Sequence, residues 1–271
     1  MQTDGQIEPP SAIRLPLLPL TAFALLAVFL VAPWPLAQKA HALLHGLCAQ
    51  RPSHSLALGG TLLPFDARMT GIYGGFAGAA IWLLGKGRLR AWRLPSKPVV
   101  LVLAAFIALL AVDGGNAFLV DIGAQPLYPP DNRLRVVTGT LTGIALAIAL
   151  CHVLATTLWR NGDRQMATVG GVGELSVLLL LQLPLISVVL SGWGWLYAPV
   201  TLLLVCSAAG VVGSLTLASL TMLRLRDGTY RSPAEVQGVA AVSLLIGLAV
   251  MGAIAGARFW AEHAFGIVPL P

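Results

Sequence analysis

Apolar residues dominate this chain in seven long stretches, separated by short polar connections. They cover residues 15–36, 69–84, 99–120, 136–158, 172–190, 196–223 and 238–257. The first has prolines near both ends, the second is short and rich in glycine, and the third contains Asp113. A helix needs about 20 mainly apolar residues to cross a bilayer, and backbone groups in hydrocarbon must bond within the segment. The runs are therefore read as helices. Their near-continuous apolarity excludes an outer-membrane barrel, whose strands would alternate. The pattern predicts an all-α, polytopic transmembrane helical bundle of about seven spans. Residues 1–14 form an N-terminal tail and 15–271 a single transmembrane domain.

Composition agrees. Only 10% of the 271 residues are charged and 57% are hydrophobic, against about 25% charged in a soluble domain. The formal charge of +6 does not point to nucleic acid, because the basic residues lie scattered between apolar runs. They read as orientation signals. With the N-terminus inside, Arg14, Lys86, Arg88, Arg90, Arg93, Lys97, Arg160, Arg164, Arg224, Arg226 and Arg231 are cytoplasmic. Lys39, Arg51, Arg68, Arg133, Arg135 and Arg258 lie outside. This bias predicts a cell-membrane protein with a cytoplasmic N-terminus and an extracytoplasmic C-terminus. Ala40-His41-Ala42 resembles a signal-peptide cleavage site, but it lies past a run already long enough to span, so the first span is expected to be retained.

That orientation places two polar segments on the outer face. One reads Cys48-Ala49-Gln50-Arg51-Pro52-Ser53-His54-Ser55, then Gly59-Gly60, then Pro64-Phe65-Asp66-Ala67-Arg68-Met69-Thr70-Gly71-Ile72-Tyr73-Gly74. The other reads Asp113-Gly114-x-Asn116 and Asn132-x-Leu134-Arg135. Together they resemble the signature of a prokaryotic membrane-protein family, domain of unknown function 2085, over about residues 38–140. That family typically has Cys-His-Gln, a Pro-rich stretch containing Ser, and Pro-Leu-Cys-Ala-Arg-x-x-Gly-Ile-Tyr. Here Ala49 replaces its His and Asp66 its second Cys, so a Cys/His/Cys metal or redox cluster is not implied for this chain. The resemblance implies a topology and a site location, with no reaction.

The candidate site residues are Asp66, Arg68, Tyr73, Asp113, Asn116, Arg133 and Arg135. Asp66 and Arg68 stand at the entrance of the second run, where an ionisable residue is costly unless paired. They suit either an anion site or a structural ion pair. Asp113 reads as a substrate anchor, or as part of a helix-ending turn with Gly114, Gly115 and Asn116. Arg133 and Arg135, just ahead of the fourth run, suit a phosphate or carboxylate, or lipid headgroups. Tyr73 could line the cavity. The Asp-Gly pair lacks the Ala-Arg and the downstream aspartates of CDP-alcohol phosphotransferases, and no residue is assigned a catalytic step.

Other polar positions suit structure. Gly71 and Gly75, with Gly74 and Gly78, form small-xxx-small pairs expected to pack on another span of the chain. His152 and Gln182 are expected to bond between helices. Glu174 suits a helix N-terminus. Trp193 and Trp195, with Tyr197, read as an interfacial aromatic belt. His41 and His45 share a face of a short amphipathic helix over 38–48. No metal and no cofactor is assigned. The expected partner is the lipid bilayer, with membrane-protein partners or a homo-oligomer left open. The reading is an anionic or lipid-linked substrate at an outer polar site; the alternative is an accessory or scaffold subunit.

Overall fold

The computed structural model describes residues 16–266, so Arg14 and Leu15 and the segment 267–271 lie outside the described residues. The first apolar run is divided. Helix α1 (Leu17–Val31) stops before Pro33 and Pro35, and α2 (Leu36–Leu44) follows, because a proline lacks an N–H and clashes with the preceding turn. A hairpin of β1 (Ser55–Leu58) and β2 (Thr61–Asp66) leads into α3 (Ala67–Gly85). Gly59 and Gly60 join its strands at positive φ, as a two-residue primed turn requires.

Then come β3 (Ala91–Arg93), α4 (Lys97–Asp121), α5 (Asn132–Leu158) and β4 (Asp163–Ala167), with β3 and β4 paired in parallel. The chain ends in α6 (Val172–Leu180), α7 (Leu183–Leu190), α8 (Tyr197–Leu223) and α9 (Pro233–Phe265). The two small sheets correct the all-α expectation to a mostly helical one. They form in the polar connections, where the apolar pattern carried no signal.

Among the described residues, five helical segments are long and apolar enough to cross a membrane: Lys97–Asp121, Asn132–Leu158, Val172–Leu190, Gly194–Leu223 and Pro233–Phe265. The other two apolar runs fall short for different reasons. With 15 residues, α1 is too short. Although α3 has the length, Arg68 and its glycines leave it too polar.

The connections gather at two opposite ends. At one, the hairpin meets the turn before α8 through Gly59 N–H to Gly192 O (2.8 Å), and Arg258 of α9 donates to Cys48 O. At the other, β3 pairs with β4, Gly228 N–H reaches Thr157 O (2.8 Å), and Arg90 reaches Arg231 O. Of the described Lys and Arg residues, ten lie at the β3–β4 end and six at the Cys48 end.

The core is built on the crossing of α3 and α5. Gly71 and Gly75 on one helix meet Gly139 and Gly143 on the other, and a Cβ at any of the four would come under 3.0 Å from the opposite backbone. Such closeness lets dispersion act over the whole contact. The second glycine pair, Gly74 and Gly78, faces Leu185 and Gln182.

Candidate functional site

The site forms where α3, α4 and α5 meet at the Cys48 end. Asp66 ends β2 and caps α3, accepting Met69 N–H at 2.8 Å. This is the common N-cap use of a carboxylate, satisfying an orphan donor of the first turn. Two residues on, Arg68 points to α4. Its Nε and Nη2 reach Asp113 Oδ2 at 3.0 and 2.7 Å, and Nη2 also reaches Asp113 O at 3.2 Å. Asp113 is only 4% exposed. A buried carboxylate in such a place requires a partner, and Arg68 is that partner.

Of the two readings of Asp113, the helix-ending turn is not there. Residues 113–116 lie inside α4, which continues to Asp121. Turn-prone residues are overridden because Asp113, Asn116 and Ala117 fall on one buried helical face. The helix ends at Ile122, and the chain folds back so that Asn116 can hold it. Asn116 Oδ1 accepts Leu127 N–H at 2.7 Å, and its Nδ2 donates to Tyr128 O at 3.0 Å. Tyr128 then donates its hydroxyl to Asp113 Oδ1 at 3.3 Å. Burial, and then the Asp113 charge, push the Tyr128 hydroxyl above its usual range. Residues 122–131 thus strap over the Arg68–Asp113 pair, tied further by Arg51 to Asp121 (2.7 Å) and Asn132 to Ser53 O (3.1 Å).

Arg133 and Arg135 occupy the first turn of α5 rather than preceding it, because Asp131 caps the helix through Arg133 N–H at 2.8 Å. The side chain of Arg133 is exposed. Arg135 is only 5% exposed; Nη1 donates to Asn132 Oδ1 at 2.8 Å, and among the described residues no carboxylate lies within ion-pair distance of it. Arg135 feels the charges of Arg68, Asp113, Asp66 and Asp121. His54, on the connection above, is held below its ordinary value by burial and then by Arg135 and Arg51. Tyr73 is buried with its ring stacked on Phe65 at 4.7 Å, so it belongs to the core beside the site. The structure therefore joins Arg68, Asp113 and Asn116, sets Arg135 among them, uses Asp66 as a cap, and leaves Arg133 outward.

Residues 48–149 match the family model described as Predicted membrane protein (DUF2085). Over this stretch the chain is similar to the DUF2085 family. No curated protein and no solved structure matches the chain. The DUF2085 stretch contains every residue of the cluster, from Arg51 to Arg135.

Several polar residues escaped sequence reasoning. Tyr128 and Asp121 gave no signal, since each acts only once the strap is folded. A second cluster ties the start of the DUF2085 stretch to the last helix. His45 contacts Gln50 Oε1 and Glu262 Oε2, both at 2.8 Å, and stacks on Phe259 at 4.0 Å. Gln50 Nε2 is taken by Pro64 O and His41 O, so its oxygen faces the imidazole. Arg258 binds Glu262 at 2.8 Å and His45 O at 2.6 Å. Among the described residues no group of three His, Cys, Asp or Glu is arranged to hold a metal.

Two further expectations are corrected. Among the described residues, His152 Nδ1 and both amide atoms of Gln182 have no hydrogen-bond partner; Gln182 sits at the break between α6 and α7, packed against Gly78. Pro184 removes the N–H that would have bonded to the carbonyl of Leu180, which accounts for the break. The helix near His41 is amphipathic, as expected: α2 packs on β2, α8 and α9 through Ala40 and Leu44, both fully buried, while Gln38, His41 and Ala42 are exposed. Glu174 does sit in the first turn of α6, accepting Gly170 N–H at 2.6 Å and Arg88 at 2.5 Å. Trp193 and Trp195 are exposed and stacked at 6.0 Å.

Proposed function

We propose that this membrane protein crosses the cell membrane seven times, with its N-terminus cytoplasmic, and that its outer polar cluster binds an anionic or lipid-linked substrate. The alternation of connections between two ends supports seven crossings, with α1 and α3 joining the five segments that are long and apolar enough to cross on their own. The excess of basic residues at the β3–β4 end supports a cytoplasmic assignment for that end. The observation that carries the binding reading is Arg135. A guanidinium so deeply buried, without a carboxylate, is unfavourable by several kcal/mol unless an anion completes it. Its planar donors suit a phosphate or carboxylate held on two oxygens. Arg68 and Arg133 flank it, the first oriented by Asp113 and the second exposed at the entrance.

The test is a thermal-shift titration of detergent-purified protein with inorganic phosphate, sulfate and dihexanoyl phosphatidic acid. At least one anion should raise the melting temperature by several degrees. Arg135→Gln should abolish the rise and Arg133→Gln weaken it, while Arg164→Gln, at the other end, leaves it intact. An equal rise in Arg135→Gln and wild type refutes the site. A response to phosphatidic acid alone identifies a lipid-linked ligand.

One observation favours the alternative, an accessory or scaffold subunit. The carboxylate of Asp113 and the amide of Asn116 are fully engaged by Arg68, Tyr128 and the strap, as in a purely structural lock. Under that reading none of the anions produces a shift, and Arg68→Gln and Asp113→Asn lower only the yield of folded protein.

A further inference from the structure

Helices α1, α8 and α9, with Leu43 of α2, border a half-open cleft of about 590 Å³, and none of the three contributes to the arginine cluster. Its lining includes Leu25, Phe29, Gly210 and Leu244, and among the described residues the only side chains in it that are not pure hydrocarbon are Cys206 and Ser214. The cavity exists because α1 is held at its ends. At the start, Leu18 N–H donates to Gln237 Oε1 of α9 at 3.2 Å. At the finish, Lys39 Nζ donates to Leu30 O at 2.9 Å and Ala32 O at 3.1 Å. Between these clasps α1 buries no residue, and its middle stands away from α8.

Size and polarity select the occupant. Water does not settle in a cavity lined by hydrocarbon, and an empty one forfeits dispersion contacts along its walls. A single hydrocarbon chain is thin enough. At the cavity's end Lys39 rests over the Phe29 ring at 5.4 Å. An ammonium has three donors; two are used on carbonyls, and among the described residues the third has no partner, which leaves it for an anion.

We propose that this cleft is a phospholipid site, with one acyl chain lying between α1 and α8 and the lipid phosphate on Lys39. A bilayer offers such chains in excess, and the lysine gives the site a preference for a phosphate-bearing lipid over a neutral one.

Native mass spectrometry of protein extracted in mild detergent tests this. Wild type should retain one phospholipid per chain through delipidation. Gly210→Phe should reduce retention at least tenfold: a Cβ at Gly210 meets nothing within 4 Å, so the ring enters the cleft without displacing the fold. Lys39→Gln should lower retention several-fold while still accepting a neutral diacylglycerol. Monodispersity and melting temperature report folding; if Gly210→Phe does not fold, Ser214→Leu fills the same space from the next turn. Wild type without bound lipid, a filled variant that retains it, or a dimer that the filled variant splits would each overturn the proposal.

Discussion

The thiol of Cys48 lies beneath two backbone N–H groups, those of Gln50 at 3.3 Å and Asp66 at 3.4 Å. Burial, and then the negative charge of Asp66, push it up to about 11. The thiolate is the nucleophile, so Cys48 in folded protein should alkylate with maleimide at pH 8 on the order of a hundredfold more slowly than a free thiol. Reaction should accelerate steeply between pH 9 and about 11, and denaturation should abolish the difference; fast labelling of native protein at pH 7 would contradict the burial. Sequence reasoning located the polar residues more surely than their roles. Arg68 and Asp113 were expected to share a site because each is an ion beside an apolar run, and they do pair. Asp66 could not be recognised as a cap, because that role depends on where α3 begins. Tyr128 joins Asp113 across 15 positions of chain only after Asn116 has bent the strap.

Helix α3 is least apolar where it is most tightly packed, which follows from its glycines. At Gly75 a Cβ would come under 3.0 Å from the Thr140 backbone, and backbone cannot rotate aside as a side chain can. Gly75→Val should therefore cost at least about 3 kcal/mol, the upper end of ordinary overpacking, and appear as loss of folded protein by size-exclusion chromatography. Gly85→Ala, with nothing within 4 Å of its Cβ, should melt within a degree or two of wild type. The two sites would have to respond alike for this account of the crossing to fail. The small-xxx-small spacing of α3 was readable; that Gly139 and Gly143 carry the matching spacing on α5 was equally present in the sequence. What could not be read was which runs are neighbours. The hairpin was signalled locally, by Gly59-Gly60 between two short runs with β character, and the break at Gln182 by Pro184. Both cues are brief, and continuous apolarity masked the second.

Across the whole molecule, the two ends should face opposite compartments. In a variant lacking Cys48, Cys151 and Cys206, Ala124→Cys on the strap should react with an impermeant maleimide in intact cells. Asp227→Cys, between α8 and α9, should react only after permeabilisation; the reverse pattern inverts the orientation, and labelling of both in intact cells removes it. Seven runs were legible because lipid demands continuous apolarity, whereas α1 was legible only as a run, since its length depends on where Pro33 and Pro35 interrupt it. The clasp of Arg258 on Cys48 O spans 210 positions of sequence, and it bears on how the chain can be divided. Residues 48–149 are a recognisable unit without being a self-sufficient one: their first turn is fastened by the final helix, and their hairpin leans on the turn before α8. A fragment ending at residue 149 would leave the carbonyls of Cys48 and Ala49 without the Arg258 guanidinium that donates to them. The later, unmatched half is therefore the clamp that closes the family's stretch.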